Sequence, residues 1–196
     1  MVLKALWPDR AVLVEDDSIK ILVISDLHLS DEDDLVHDLI KKAKNLVKKY
    51  KPKILIVNGD MLNFHLGGQS LDLFDFELSK TVTVELMQGN HEPEFFEPVL
   101  VTTNYCFCHG DIDYLIDKNL VLGHTHPFYK GKPVFLKGTL KNGKEFIILP
   151  PFNEACMGPD VYKNKNELLG FIFQEKLAKN CEIIDLTGKK LLELKF

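Results

Sequence analysis

Short apolar runs separated by polar clusters fill the first two thirds of the chain, and their spacing alternates between the periods of strand and helix. Residues 11–15 (AVLVE) and 20–25 (KILVIS) flank Asp16-Asp17-Ser18 and predict a β-hairpin. Leu35, Val36, Leu39, Ile40, Ala43, Leu46, Val47 and Tyr50 recur at helical spacing, so 35–50 predicts an amphipathic helix. Its lysines fill the solvated face and the last turn, where cations suit the helix dipole. Residues 54–58 (ILIVN) form an unbroken apolar run suited to a strand buried on both faces. Strand, helix and strand within roughly forty residues make a βαβ unit. A second helix is expected over 70–80 with Ser70 as its cap. Apolar runs at 81–87, 104–108 and 119–122 follow.

After Pro127 the texture changes. Residues 133–137 and 145–149 are strand-like, and Asn142-Gly143 between them is a hairpin signal. Runs 168–174, 180–186 and 190–196 predict further antiparallel strands, with Thr187-Gly188 as a turn. The fold class expected is α/β, with two facing, partly parallel sheets and helices outside. No repeat, low-complexity tract or flexible linker interrupts the pattern, so one continuous domain over 1–196 is expected.

Composition narrows the class. A 45% hydrophobic and 27% charged chain is neither disordered nor fibrous. No apolar run reaches the ~18 residues of a membrane span. The start Met1-Val-Leu-Lys-Ala-Leu-Trp-Pro is too short before Pro8 to read as a signal peptide, so the cytoplasm is the expected location. Cys106, Cys108, Cys156 and Cys181 show no C-x-x-C spacing and read as small core hydrophobes. A net charge of −5 argues against a protein that coats nucleic acid, while leaving nucleic acid open as a substrate. Arg10 is the one arginine, so a bidentate phosphate clamp would have to use it.

The chemistry sits where the apolar runs stop. Run 21–25 ends in Asp26-Leu27-His28, run 54–58 in Gly59-Asp60, and run 83–88 in Gly89-Asn90-His91-Glu92. Run 104–108 ends in His109-Gly110-Asp111, and run 119–122 in Gly123-His124-Thr125-His126. In open α/β sheets ligands bind beyond the carboxyl ends of strands, so these clusters are expected to meet at one edge. Each alone is weak: a His after a strand is commonly surface or satisfied core, and Gly-Asp is a common turn. Together they hold or adjoin six of the seven histidines, His65 lying just beyond one cluster and His37 in the predicted helix. Imidazole and carboxylate suit divalent Mn, Fe, Zn, Ni or Co. Seven or eight donors exceed one tetrahedral ion and fit two ions that share a carboxylate.

These residues resemble the calcineurin-like metallophosphoesterases, whose pattern D-x-H, G-D, G-N-H-[DE], H, G-H-x-H is met in order over 26–126. The segment Ile148-Leu149-Pro150-Pro151-Phe152-Asn153 with Gly158 is similar to the small SbcD-related archaeal and DNA-ligase-associated bacterial phosphoesterases. The resemblance implies a β-sandwich flanked by helices. It implies one ion on Asp26, His28 and His126, a second on Asn90, His109 and His124, and Asp60 bridging them. His91 would face the substrate phosphate, oriented by Glu92. Two divalent ions ~3.5–4 Å apart would clamp an in-line displacement by a metal-bridging hydroxide. His91 would stabilise charge and protonate the leaving oxygen.

The function expected is a two-metal phosphodiesterase, Mn being the first choice of ion, acting on nucleotides or on short or single-stranded nucleic acid. The alternatives are a small-molecule phosphomonoesterase or nucleotidase, and a catalytically silent metal-binding scaffold. Lys130 and Lys132 follow His126 closely and are candidates to offset a monoester's extra charge. Loops 61–69, 92–98 and 150–160 carry Phe64, His65, Phe95, Phe96 and Phe152, which either pack beneath the loops or offer a surface for stacking a base.

Overall fold

Residues 2–31, 35–63, 66–94, 96–115 and 117–196 are described in a computed structural model of the chain. One sheet takes β1 (Val2–Leu6), β2 (Ala11–Asp16), β3 (Ile19–Ile24), β4 (Ile54–Asn58) and β5 (Thr83–Met87) in that order. The predicted hairpin is β2–β3, with Val12 opposite Val23, and β1 adds an antiparallel edge. β3, β4 and β5 run parallel, in a register that pairs Ile24 with Val57 and Asn58 with Met87. The crossover from β3 to β4 is helix α1 (Leu35–Tyr50), with the boundaries the apolar spacing predicts. Helix α2 (Gly68–Ser79) crosses from β4 to β5.

The second sheet holds β6 (Val99–Val101), β7 (Tyr105–Cys108), β8 (Asn119–Leu122), β11 (Phe135–Leu140), β12 (Glu145–Ile148), β13 (Ala178–Ile184) and β14 (Lys190–Lys195). Their order is β14-β13-β11-β12-β8-β7-β6. Strands β7, β8 and β12 are mutually parallel neighbours, and the others pair antiparallel. A two-stranded ribbon, β9 (Phe128–Tyr129) and β10 (Lys132–Pro133), follows β8.

Alternation along the strands decides what packs where. Val12, Val14, Ile21, Val23 and Ile56 meet Phe107, Val121, Phe135 and Ile147 between the sheets. The other faces of β3 and β4, with Leu22, Ile24, Leu55 and Val57, pack under α1 and α2. Both strands are thus covered on both sides, as their unbroken apolar runs require. Outside the second sheet, Cys106, Cys108 and Cys181 join Leu120, Leu136 and Ile183 as core hydrophobes, and all four cysteines are free thiols. No helix among the described residues is long and apolar enough to cross a membrane.

Two expectations need correction. The run 168–174 is not a strand: after Gly170, at φ 104°, residues Phe171–Gln174 form a short helix, α3. Phe171, Ile172 and Phe173 plug the outer face of the second sheet, and so short an apolar run carries no period that separates strand from helix. Ser70 does not cap α2. Asp31 accepts the Ser70 N–H (2.8 Å) and the Gln69 N–H (3.4 Å), while the Ser70 hydroxyl donates to Ser30 O. Asp31 lies nearly forty residues away in sequence, beyond any local capping pattern. Strands β1, β6 and β9 are additions to the sequence reading.

Candidate metal centre

Two parallel triads, β3-β4-β5 and β12-β8-β7, face each other with their carboxyl ends at one edge. The polar clusters meet there. Asp26 N donates to Gly59 O (3.1 Å) and His28 N to Asp60 O (3.0 Å), which locks the first two clusters together. His124 N donates to Asp26 Oδ1 (3.2 Å), which fastens the second sheet to the first. The segment after β12 runs beneath the site: Phe152 N donates to Ser25 O and Asn153 Nδ2 to Leu27 O.

The backbone is strained where the donors lie. Asp26, His28, Asp60, His124 and His126 have φ of 60°, 45°, 48°, 64° and 43°. Non-glycine residues in the left-handed region cost on the order of 1–3 kcal/mol each and persist only when the surroundings enforce them. Gly59 makes room: a Cβ there would stand 2.4 Å from His109 Nδ1.

The side chains converge in two groups. Asp26, His28, Asp60 and His126 bring one ligand atom each within 4.8 Å of one another, and Asp60, His109 and His124 do the same. His109 Nδ1 donates to Asn58 O (3.1 Å), which turns Nε2 toward Asp60 Oδ1 (3.1 Å) and His124 Nδ1 (3.2 Å). His126 Nδ1 donates to Met157 O (3.2 Å), which turns Nε2 toward Asp26 Oδ1 (3.0 Å) and His28 Nε2 (3.1 Å). His28 Nε2 lies 3.7 Å from Asp60 Oδ2. A carbonyl thus fixes the outer nitrogen of each of these two rings, the usual support for a ligating imidazole.

The buried carboxylates and imidazoles shift one another. Burial opposes ionisation of Asp26, yet the hydrogen bond from His126 and the His126 and His109 charges hold its carboxyl well below the ordinary range. Burial would lower His109, but Asp60 and Asp26 outweigh it and lift its imidazole to about 9. His126 is raised against burial by Asp26, whereas burial lowers His28 and His124. Asp26 Oδ2 is buried and accepts no hydrogen bond among the described residues. An unmatched carboxylate oxygen among converging imidazoles fits a divalent ion, and the donor types suit Mn, Fe, Zn, Ni or Co.

The other residues singled out by the sequence divide between the cleft and the core. Asn90 is exposed and lines an open cleft of about 270 Å³ above the donors, together with His28, Asp60, His91, His124 and His126. The His91 ring has Nδ1 on Leu62 O (3.2 Å) and Nε2 4.0 Å from Asp60 Oδ2. Buried Glu92 accepts the backbone N–H of Gly89 (2.7 Å), Asp60 (2.9 Å) and Leu62 (2.9 Å). Its link to His91 therefore runs through residue Leu62, whose N–H it accepts and whose carbonyl meets the ring. Phe152 is fully buried beneath α1 and offers no stacking surface, and Phe96 packs against the same core. Phe64, His65 and Phe95 lie outside the described residues. Arg10 is buried and donates to Pro151 O, away from the cleft lining. Lys130 and Lys132 are not among the lining residues either.

Sequence reasoning passed over Asn58. Its Nδ2 donates to Cys108 O (2.7 Å) and Val121 O (3.0 Å), and its carbonyl accepts from Ser25 Oγ and His109 Nδ1. It bolts β4 to β7 and β8 directly under the donors. A polar residue closing an apolar run was the available signal.

A family model described as calcineurin-like phosphoesterase matches residues 19–154, which contain every predicted donor. Among solved structures the chain is similar to the crystal structure of Pseudomonas putida nuclease MPE. The identity is 20% over 81% of this chain and 86% of that chain, with a TM-score of 0.62, which establishes a common fold. No curated protein matches. From the family match and the ordered donor clusters, the chain belongs to the calcineurin-like phosphoesterases and is a phosphoric ester hydrolase.

Proposed function

We propose that the chain, as one domain over 1–196, is a phosphodiesterase that works with two divalent ions. Asp26, His28 and His126 would hold one, Asn90, His109 and His124 the other, and Asp60 both. The observation that carries this reading is the membership of Asp60 in both donor groups. Divalent ions in such a site offset phosphoryl charge and bring the ionisation of water toward neutral pH.

The chain's own residues do the rest. Asp60 turns Oδ1 to His109 and Oδ2 toward His28 and His91, so one carboxylate sets the spacing of both donor groups. With a proton on Nε2 toward the cleft, His91 would give it to the departing oxygen as the bond from water oxygen to phosphorus forms and the ester P–O bond breaks, and the proton that water sheds to solvent balances the one that restores the ring. Glu92 is a positioning residue that fixes the Asp60 and Leu62 peptides. No lysine or arginine is among the described lining residues, so the second charge of a monoester finds no side-chain partner, which favours diesters. Four free thiols accord with a reducing compartment, the cytoplasm. Mn is the ion proposed. A silent scaffold is disfavoured, because His91, which this reading does not use as a metal donor, stands in the cleft beside the five strained donors.

The test is steady-state kinetics on Mn-loaded protein with mono- and diesters sharing one leaving group. Higher kcat/KM for the diester is expected, with weak, salt-sensitive binding to single-stranded DNA. A clear monoester preference would overturn the diesterase reading.

A further inference from the structure

The cleft has two unlike walls. Asn90 and His91 stand on one, while the other is built by Met157, Gly158, Pro159 and Leu169. Met157 is 71% exposed and Leu169 47%, large apolar side chains left in solvent beside a polar centre. Their backbones are not loose. Met157 O accepts from the His126 ring (3.2 Å), and Leu169 O accepts from Thr125 Oγ1 (2.9 Å). A Cβ on Gly158 would stand 1.8 Å from His126 O, so this stretch lies flat against the His126 backbone. Two segments distant in sequence are thus pinned to His126 and its neighbour, and each presents an apolar side chain at the cleft.

The ring of His28 lies 5.0 Å from that of His91 and 5.0 Å from that of His126. The row therefore passes from His91 through His28 to His126 and on to the apolar wall. Building on the diesterase reading, we propose that Met157 and Leu169 bind the organic arm that stays on phosphorus, a nucleoside, while the departing arm lies at His91. A flexible thioether moulds to a flat ring and makes favourable sulfur–aromatic contacts. The wall carries no charged side chain to hold a second phosphate.

Two diesters with the same leaving group test this: thymidine p-nitrophenyl phosphate and methyl p-nitrophenyl phosphate, on the Mn-loaded full chain. The wild type should favour the nucleoside ester by roughly tenfold in kcat/KM. Met157→Ala or Leu169→Ala should cut that ratio by about fivefold, mostly through KM, and Met157→Leu, which keeps the apolar area without the sulfur, should restore most of it. Both side chains are exposed, and circular dichroism with metal content confirms an intact fold and centre in each variant. A wild-type ratio near one, or a ratio unmoved by either alanine, overturns the proposal and leaves the diesterase reading standing. Turnover of p-nitrophenyl phosphate with neither diester cleaved overturns both.

Discussion

The two ends of the sandwich both bury carboxylates and treat them in opposite ways. Where the parallel strands begin, Asp16 accepts from Thr102 Oγ1 (2.6 Å), Asn104 N (2.9 Å) and Asn104 Nδ2 (2.5 Å). These bonds tie β2 to the turn before β7, sheet to sheet. Where the same strands finish, Asp26 and Asp60 face imidazoles, and Asp26 Oδ2 is buried with no hydrogen-bond donor in range among the described residues. A buried carboxylate ringed by neutral donors is complete and serves stability. One set among converging acceptors is complete only with a cation. The difference separates structure from chemistry within one fold, and each end can be disturbed by itself.

The largest effect belongs to the site end. His91→Ala should lower kcat by about 10²–10⁴-fold while both ions stay bound, if the ring delivers the leaving-group proton. Parallel measurement of kcat and metal content checks it, and loss of an ion with normal activity per bound metal would assign His91 to the ligands instead. Asn58→Ala should act on stability, since Cys108 O and Val121 O lose their donor at a cost of about 1–3 kcal/mol each. Denaturant unfolding reads that loss. A change below ~0.5 kcal/mol would mean the sheets close without this bolt.

The smallest effect lies at the far end. Asp16→Ala should cost about 1–3 kcal/mol and leave metal binding and turnover as they are. Burial would raise the Asp16 carboxyl, yet the Thr102 and Asn104 bonds prevail and its folded pKa falls below the usual value. A depressed folded pKa gives stability that is present above the unfolded pKa of ~3.9 and is lost as pH falls through the folded value. The stability gap between wild type and Asp16→Ala should therefore narrow as pH drops from about 5 to about 2, and a gap that widens would refute this balance.

Much of this was legible in the sequence because strand ends and chemistry coincide. Asp-Leu-His, Gly-Asp, Gly-Asn-His-Glu and Gly-His-Thr-His each follow an apolar run that folds as a strand of one of the two parallel triads. The helix over 35–50 was readable because sixteen residues carry several full turns of period. What stayed hidden depends on pairings distant in sequence. Asn58 looks like the last residue of a strand until Cys108 and Val121 arrive beneath it. Asp31 caps a helix that starts far along the chain, and Glu92 spends its oxygens on three peptides rather than on its neighbour's ring. The run 168–174 was too short to reveal a helix.

In the proposed reading Asp60 joins two donor groups into one centre for two ions. Metal-stripped protein titrated with Mn, with bound metal counted by elemental analysis, tests it most directly. The wild type should bind two ions per chain, and Asp60→Ala should lose affinity for both together. A single tight ion, retained unchanged in Asp60→Ala, would contradict it.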